Sequence, residues 1–138
     1  MDGPRSHTTE DQIRRWDRVF TALSAEPRRR IVEALIEVSA GESIRLPEAA
    51  SNQNGSSELE QLRLRLCHHH LPLLEEAGFV QWENDPLCAY RGRDFEEVSV
   101  VLESLYANAE EIPDRLVTGY RTLERERESD SSECDLRR

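Results

Sequence analysis

The chain has 138 residues and a formal net charge of −10, from 28 acidic and 18 basic side chains, which fits one domain with a modest core. No apolar run is long enough to span a bilayer, and the first residues lack the hydrophobic stretch of a secretion signal, so a cytoplasmic protein is expected. Cys67, Cys88 and Cys134 form no Cys-x-x-Cys pair, which argues against a zinc ribbon or a disulfide framework and for reduced thiols.

All 18 basic residues are arginine; there is no lysine. An acidic surface with complete arginine usage points to a salt-rich cytoplasm of the haloarchaeal kind. At roughly 1 M salt the Debye length is about 3 Å, so repulsion among carboxylates is screened while their charge keeps the protein hydrated. The plainer reading is an ordinary acidic protein that lacks lysine.

Residues 1–9 carry no apolar pattern and read as a disordered leader. Ile13, Trp16, Phe20 and Leu23 recur at helical spacing and predict a first helix from about Glu10 to Leu23. Ser24 is placed to cap a second helix to about Val38, with Pro27 in its first turn and Ile31, Leu35 and Ile36 buried. Gly41 ends that helix. Ser43 to Arg45 reads as a short strand, Pro47 to Ala50 as a short third helix, and residues 51–56 as a turn.

A long fourth helix follows. Ser57 and Glu60 make a Ser-x-x-Glu capping pattern, and Leu59, Leu62, Leu66, His70, Leu73 and Ala77 share one face. Gly78 fits the left-handed position after the last turn, with Phe79 set against Leu74 as in a Schellman motif. Pro72 falls on the exposed face by spacing. It removes the hydrogen bond to the His68 carbonyl at a cost of about 3 kcal/mol, so a kink towards solvent is expected.

Val80 to Glu83 and Leu87 to Arg91 read as strands joined by the turn at Asn84 to Pro86. Asp94, with Glu97 three residues on, caps a fifth helix carrying Phe95, Val98, Val101, Leu102 and Leu105. Pro113 separates a last helix, 113–127, with Leu116, Tyr120 and Leu123. The acidic, serine-rich segment 128–138 reads as a disordered tail. The expected organisation is a leader over 1–9, a domain over 10–112, a C-terminal helix over 113–127 and that tail.

This order of elements is that of a winged helix-turn-helix, mainly α with a small β-hairpin wing. Two segments make the likeness specific. Leu23-Ser24-Ala25-Glu26-Pro27-Arg28-Arg29-Arg30-Ile31 resembles the opening of ArsR-type regulators, and His70-Leu71-Pro72-Leu73-Leu74-Glu75-Glu76-Ala77-Gly78-Phe79-Val80 resembles their H-L-x-x-L-x-x-A-G-L-V segment. The run His68 to Leu74 is also similar to the H-x-H-L-P-x-L of a group of haloarchaeal winged-helix proteins. The likeness covers roughly residues 11 to 105. It implies a homodimeric, DNA-binding transcriptional regulator whose fourth helix enters the major groove and whose hairpin lies along the backbone.

The charge pattern has its own bearing on DNA. Residues 61–74 contain no acid in a chain with 28 of them. Opposite the apolar face, Gln61, Arg65 and His68 project outward, flanked by Arg63 and His69. Residues 86–93 are also free of acids and carry Arg91 and Arg93, while Arg28 and Arg29 stand near a helix start suited to phosphate. Two features depart from the family pattern. Leu64 and Leu66 occupy positions where ArsR-type proteins have small polar residues, and Glu58 and Glu60 sit in the first turn. The alternative reading is therefore a winged-helix protein-interaction module, with Leu64 as the discriminating side chain.

Three consecutive histidines on a helix point about 100° apart and cannot all reach one ion. Cys67 with His70, or His68 with a residue of another chain, remain geometrically open, but the cysteine-pair motif of metal-sensing ArsR proteins is absent. His70 is expected to be a hydrogen-bonded core histidine, and no metal or cofactor is expected. No Gly-x-Ser-x-Gly, glycine-rich phosphate loop or zinc-protease motif is present, so the chain reads as a non-enzyme. Trp16, Phe20, Leu102, Leu105, Leu116 and Leu123 form apolar stripes large for a domain of this size and are the expected homodimer interface.

Overall fold

A computed structural model of the chain describes the backbone of residues 2–51 and 56–136, and the side-chain surroundings of residues 9–51 and 57–129. The fold is mainly helical with a small three-stranded antiparallel sheet. The helices are α1 (Asp2–Leu23), α2 (Glu26–Glu37), α3 (Ser56–Arg65), α4 (Leu71–Glu76), α5 (Phe95–Ala107), α6 (Asp114–Val117) and α7 (Arg121–Leu136). The strands are β1 (Ile44–Arg45), β2 (Val80–Asn84) and β3 (Leu87–Arg91). The chain divides into two compact units, residues 1–99 and 100–138, with the division inside α5. None of the described helices is long and apolar enough to cross a membrane.

In the first unit, α1 begins at Asp2, so helical backbone runs through residues 2–9, which the sequence reads as a leader. Its inward side is not the expected one. Val19, Ala22 and Leu23 are buried, whereas Ile13, Trp16 and Phe20 are each more than half exposed, with the Trp16 and Phe20 rings stacked at 5.7 Å. Helical spacing identifies an apolar stripe; packing against α2 decides which side turns inward. The cap of α2 also differs. Ala25 is the N-cap residue, and the Ser24 hydroxyl instead donates back to the Thr21 carbonyl at 2.7 Å. Pro27 lies in the first turn as expected, since that turn has no use for its missing N–H. Ile31, Val32 and Leu35 are fully buried, Ile36 only half. The helix stops at Glu37, and Gly41 lies in the turn beyond it.

The sheet order is β1-β3-β2. Asn84 pairs with Leu87, leaving Asp85 and Pro86 as a two-residue turn between β2 and β3, where the sequence places it. Ile44, Val80, Leu87 and Ala89 face the core. Two glycines let β3 approach the end of α4. Gly78 has φ +87° and closes the Schellman pattern: Phe79 N–H donates to Leu74 O at 3.0 Å and Gly78 N–H to Glu75 O at 3.0 Å. A Cβ on Gly92 would lie 2.5 Å from the Gly78 carbonyl oxygen, so no other residue fits there.

The short helix expected over Pro47 to Ala50 is present as a single 3-10 turn, Glu48–Ala50, with Pro47 as its N-cap residue. Most of the expected turn at 51–56 lies outside the described residues. α3 begins at Ser56, so Ser57 is inside its first turn and the Ser57–Glu60 capping box is not formed. The expected continuous helix is present, running unbroken from α3 to α4, but it widens into a π turn over Leu66–His70, just before Pro72.

The second unit packs Leu102, Tyr106, Ala109, Val117 and Leu123 inward. The Tyr106 and Tyr120 hydroxyls meet at 2.6 Å. Arg127 donates to the carbonyls of Ala109 and Ile112 and pairs with Asp114 at 2.7 Å. The expected single helix 113–127 is two, parted around Gly119, and helical backbone continues over 128–136, which the sequence reads as a tail.

Candidate nucleic-acid interface

The acid-free run becomes one surface of the first unit. Gln61, Arg63 and Arg65 on α3 and His68 and His69 in the π turn are all exposed, while Leu62, Leu66 and His70 turn inward. All five polar groups are thus exposed on one continuous helical rod, with Arg63 about 200° round α3 from Gln61. Arg63 also reaches the hairpin tip, donating to Asn84 Oδ1 at 3.2 Å, so the rod and the turn between β2 and β3 are tied together. Arg93, just after β3, is exposed.

Three of the expected phosphate ligands are used differently. Arg28 is 4 % exposed. Its guanidinium donates to the carbonyls of Ala22 and Thr21 and to the Ser24 hydroxyl, each at 3.0 Å, closing the turn between α1 and α2. Its remaining nitrogen, Nη1, lies 2.7 Å from His70 Nδ1. Arginine only donates, so Nδ1 accepts and the neutral ring carries its proton on Nε2. Burial, then the charges of Arg28, His69 and Arg65, push the His70 pKa down to about 4. His70 is the hydrogen-bonded core histidine expected from the sequence. Arg29 is half-buried and donates to Leu23 O at 2.7 Å. Arg91 spans the end of α2, donating to Leu35 O, Ile36 O and Val38 O, with its guanidinium 5.1 Å from the Phe95 ring centre. These are free carbonyls of a helix terminus, and a part-buried cation is well suited to them.

The partners that consume Arg28 and Arg91 are backbone carbonyls, which residue type and spacing do not advertise. The aligned cation and helix end could be read only from the packed fold. Carboxylates also lie at this surface: Glu26 and Glu58 line one shallow cleft with Gln61 and Arg65, between the start of α2 and α3. Leu64 is 60 % exposed, outside the core. Cys67 is half-buried and, among the described residues, no three histidine, cysteine or carboxylate side chains are grouped to hold a metal ion.

Of the expected dimer residues, Leu102 and Leu123 are buried within their own chain, at 1 % and 5 % exposure, and drop out of an interface. Trp16, Phe20, Leu105 and Leu116 remain exposed, joined by Ile13 and Val100. Comparison of the chain with protein-family models, with curated proteins and with solved structures finds no match.

Proposed function

We propose that the chain is a winged helix-turn-helix transcriptional regulator that binds double-stranded DNA as a homodimer in a salt-rich cytoplasm, and that it is not an enzyme. In this reading α2 and α3 are the helix pair, the rod from α3 to α4 enters the major groove, and the β2–β3 hairpin is the wing. The observation that carries it is the acid-free run of residues 61–74, whose Gln61, Arg63, Arg65, His68 and His69 are all exposed, in a chain of net charge −10. Forked and cationic side chains on an exposed helix are what base edges and phosphates require. Arg93 extends the set; Arg28, Arg29 and Arg91 support the fold instead.

Selection from a random duplex library in molar potassium chloride, followed by titration of the selected site, tests this. The Arg65→Ala/His68→Ala chain should keep its cooperative melt and lose about 1–3 kcal/mol of binding per base contact removed. Equal affinity of the two chains would remove α3 as the reading element. The exposed Leu64 favours a second reading, a winged-helix module that docks a protein. That reading gains if selection returns no preferred sequence.

A further inference from the structure

The helical rod of residues 57–77 carries two apolar stripes. Leu62, Leu66 and His70 lead at helical spacing to Leu73 and Ala77; Leu64 and Cys67 lead to Leu71 and Leu74. The fold uses half of each. Leu62 is buried before the π turn, Leu66 and His70 at its two ends, and Leu71 and Leu74 after it. Leu64 is left exposed, and Leu73 and Ala77 are only half-buried. The change of stripe takes place within Leu66–His70, where Leu71 N–H donates to the Leu66 carbonyl across one wide turn. One residue of α-helix turns through about 100°, so this extra residue rotates α3 against α4 by roughly that angle.

Pro72 follows immediately. It has no N–H to offer the His68 carbonyl, and in a regular helix its ring crowds that oxygen. Widening the preceding turn relieves the crowding. α4 is the anchored half: Leu71 and Leu74 are fully buried, and its end is locked by the Phe79 N–H to Leu74 O bond at 3.0 Å. α3 is the half that can rotate.

We propose that Pro72 is a positioning residue for the DNA-reading face: by holding the π turn it selects the Leu62–Leu66 stripe of α3 for the core and so keeps Gln61 and Arg65 outward. In a regular helix continued back from α4, Leu64 and Cys67 come to the core side and Leu62 and Leu66 rotate away. The effect on affinity rests on the DNA-binding reading; the helix register does not, and it is measured without DNA.

Leu64→Gln and Leu66→Gln are compared by thermal melting in the wild-type and Pro72→Ala chains. In the wild type, Leu66→Gln should lower the melting temperature far more than Leu64→Gln; in Pro72→Ala the order should reverse. DNA affinity of Pro72→Ala should fall roughly tenfold or more as the contact face turns away. Deleting Cys67 from the Pro72→Ala chain sets Leu66 and Leu71 four residues apart, aligning both buried halves in a regular helix. This variant should restore the wild-type leucine order and most of the affinity. The same leucine order in the wild-type and Pro72→Ala chains overturns the proposal, as does failure of both Pro72→Ala and the deletion variant to fold. A reversed order in a protein whose wild type binds no duplex leaves Pro72's role standing and sinks the DNA-binding reading alone.

Discussion

His70 shows how one buried side chain makes stability depend on pH. Burial disfavours the imidazolium, and the ring also accepts a hydrogen bond from the charged Arg28 guanidinium. Unfolded, it takes up a proton near pH 6.5; folded, only near pH 4. Between those values the unfolded chain holds more protons. The contribution is therefore complete above about pH 6.5 and is lost as the pH falls towards 4. With each pKa unit worth about 1.4 kcal/mol, the loss is at most on the order of 3 kcal/mol. Urea melts of the wild type and His70→Gln in molar salt should diverge across this window, the variant showing the flatter profile. Parallel profiles would mean that His70 does not carry the dependence. The residue's place inside was legible from the apolar face it shares with Leu62 and Leu66. Its partner was not, because Arg28 lies 42 residues away and reads from the sequence as a surface cation.

At the level of elements, the hairpin and the end of α4 were the most legible part of the chain. Alternation in Val80 to Glu83 and Leu87 to Arg91, and Gly78 after a helical run, are local signals with local causes. The same junction also depends on a contact that is not local. Gly92 N–H donates to Phe79 O at 2.9 Å, and a Cβ on Gly92 would fall 2.5 Å from the Gly78 carbonyl oxygen. Gly92→Ala puts a methyl group against backbone atoms that cannot swing aside. It should destabilise the first unit by about 2 kcal/mol or more. A Gly92→Ala chain that melts as the wild type does in urea would show that the strand has room to move. The π turn shows why the long helix was read differently. Pattern counting treats the period as constant, and a proline beside a redundant apolar stripe allows the period to change at small cost.

For the whole molecule, the charge composition and the exposed apolar side chains lead to separate expectations. With a net charge of −10 and few described ion pairs, most of them surface pairs worth little individually, screening should matter more than pairing. Lowering potassium chloride from molar to millimolar should reduce the melting temperature and, at the limit, unfold the chain. An identical cooperative melt by circular dichroism at both salts would contradict the salt-adapted reading. Assembly follows from α1. Ile13, Trp16 and Phe20 leave the core while lying on one helical side, and two copies pairing there would bury them. Light scattering in molar salt should give a dimer mass that falls towards the monomer in Trp16→Ala/Phe20→Ala. A concentration-independent monomer for the wild type would sink the dimer, and with it the expectation of an inverted-repeat site with half-sites about 34 Å apart.

The sequence by itself determined the helical character, the small hairpin, the acid-free run and the membership of His70 in the core. Each follows from a periodicity, a turn residue or a charge count carried within a dozen neighbouring positions. Only the tertiary structure decided which of two apolar stripes on α1 and on α3 faces inward. It alone also showed that Arg28, Arg29 and Arg91 serve backbone carbonyls, and that Leu102 and Leu123 are buried within their own chain. The physical reason is common to all of these. Burial and hydrogen-bond partnership depend on surfaces brought together from distant parts of the chain, and a helix with two usable faces carries no local signal for choosing between them.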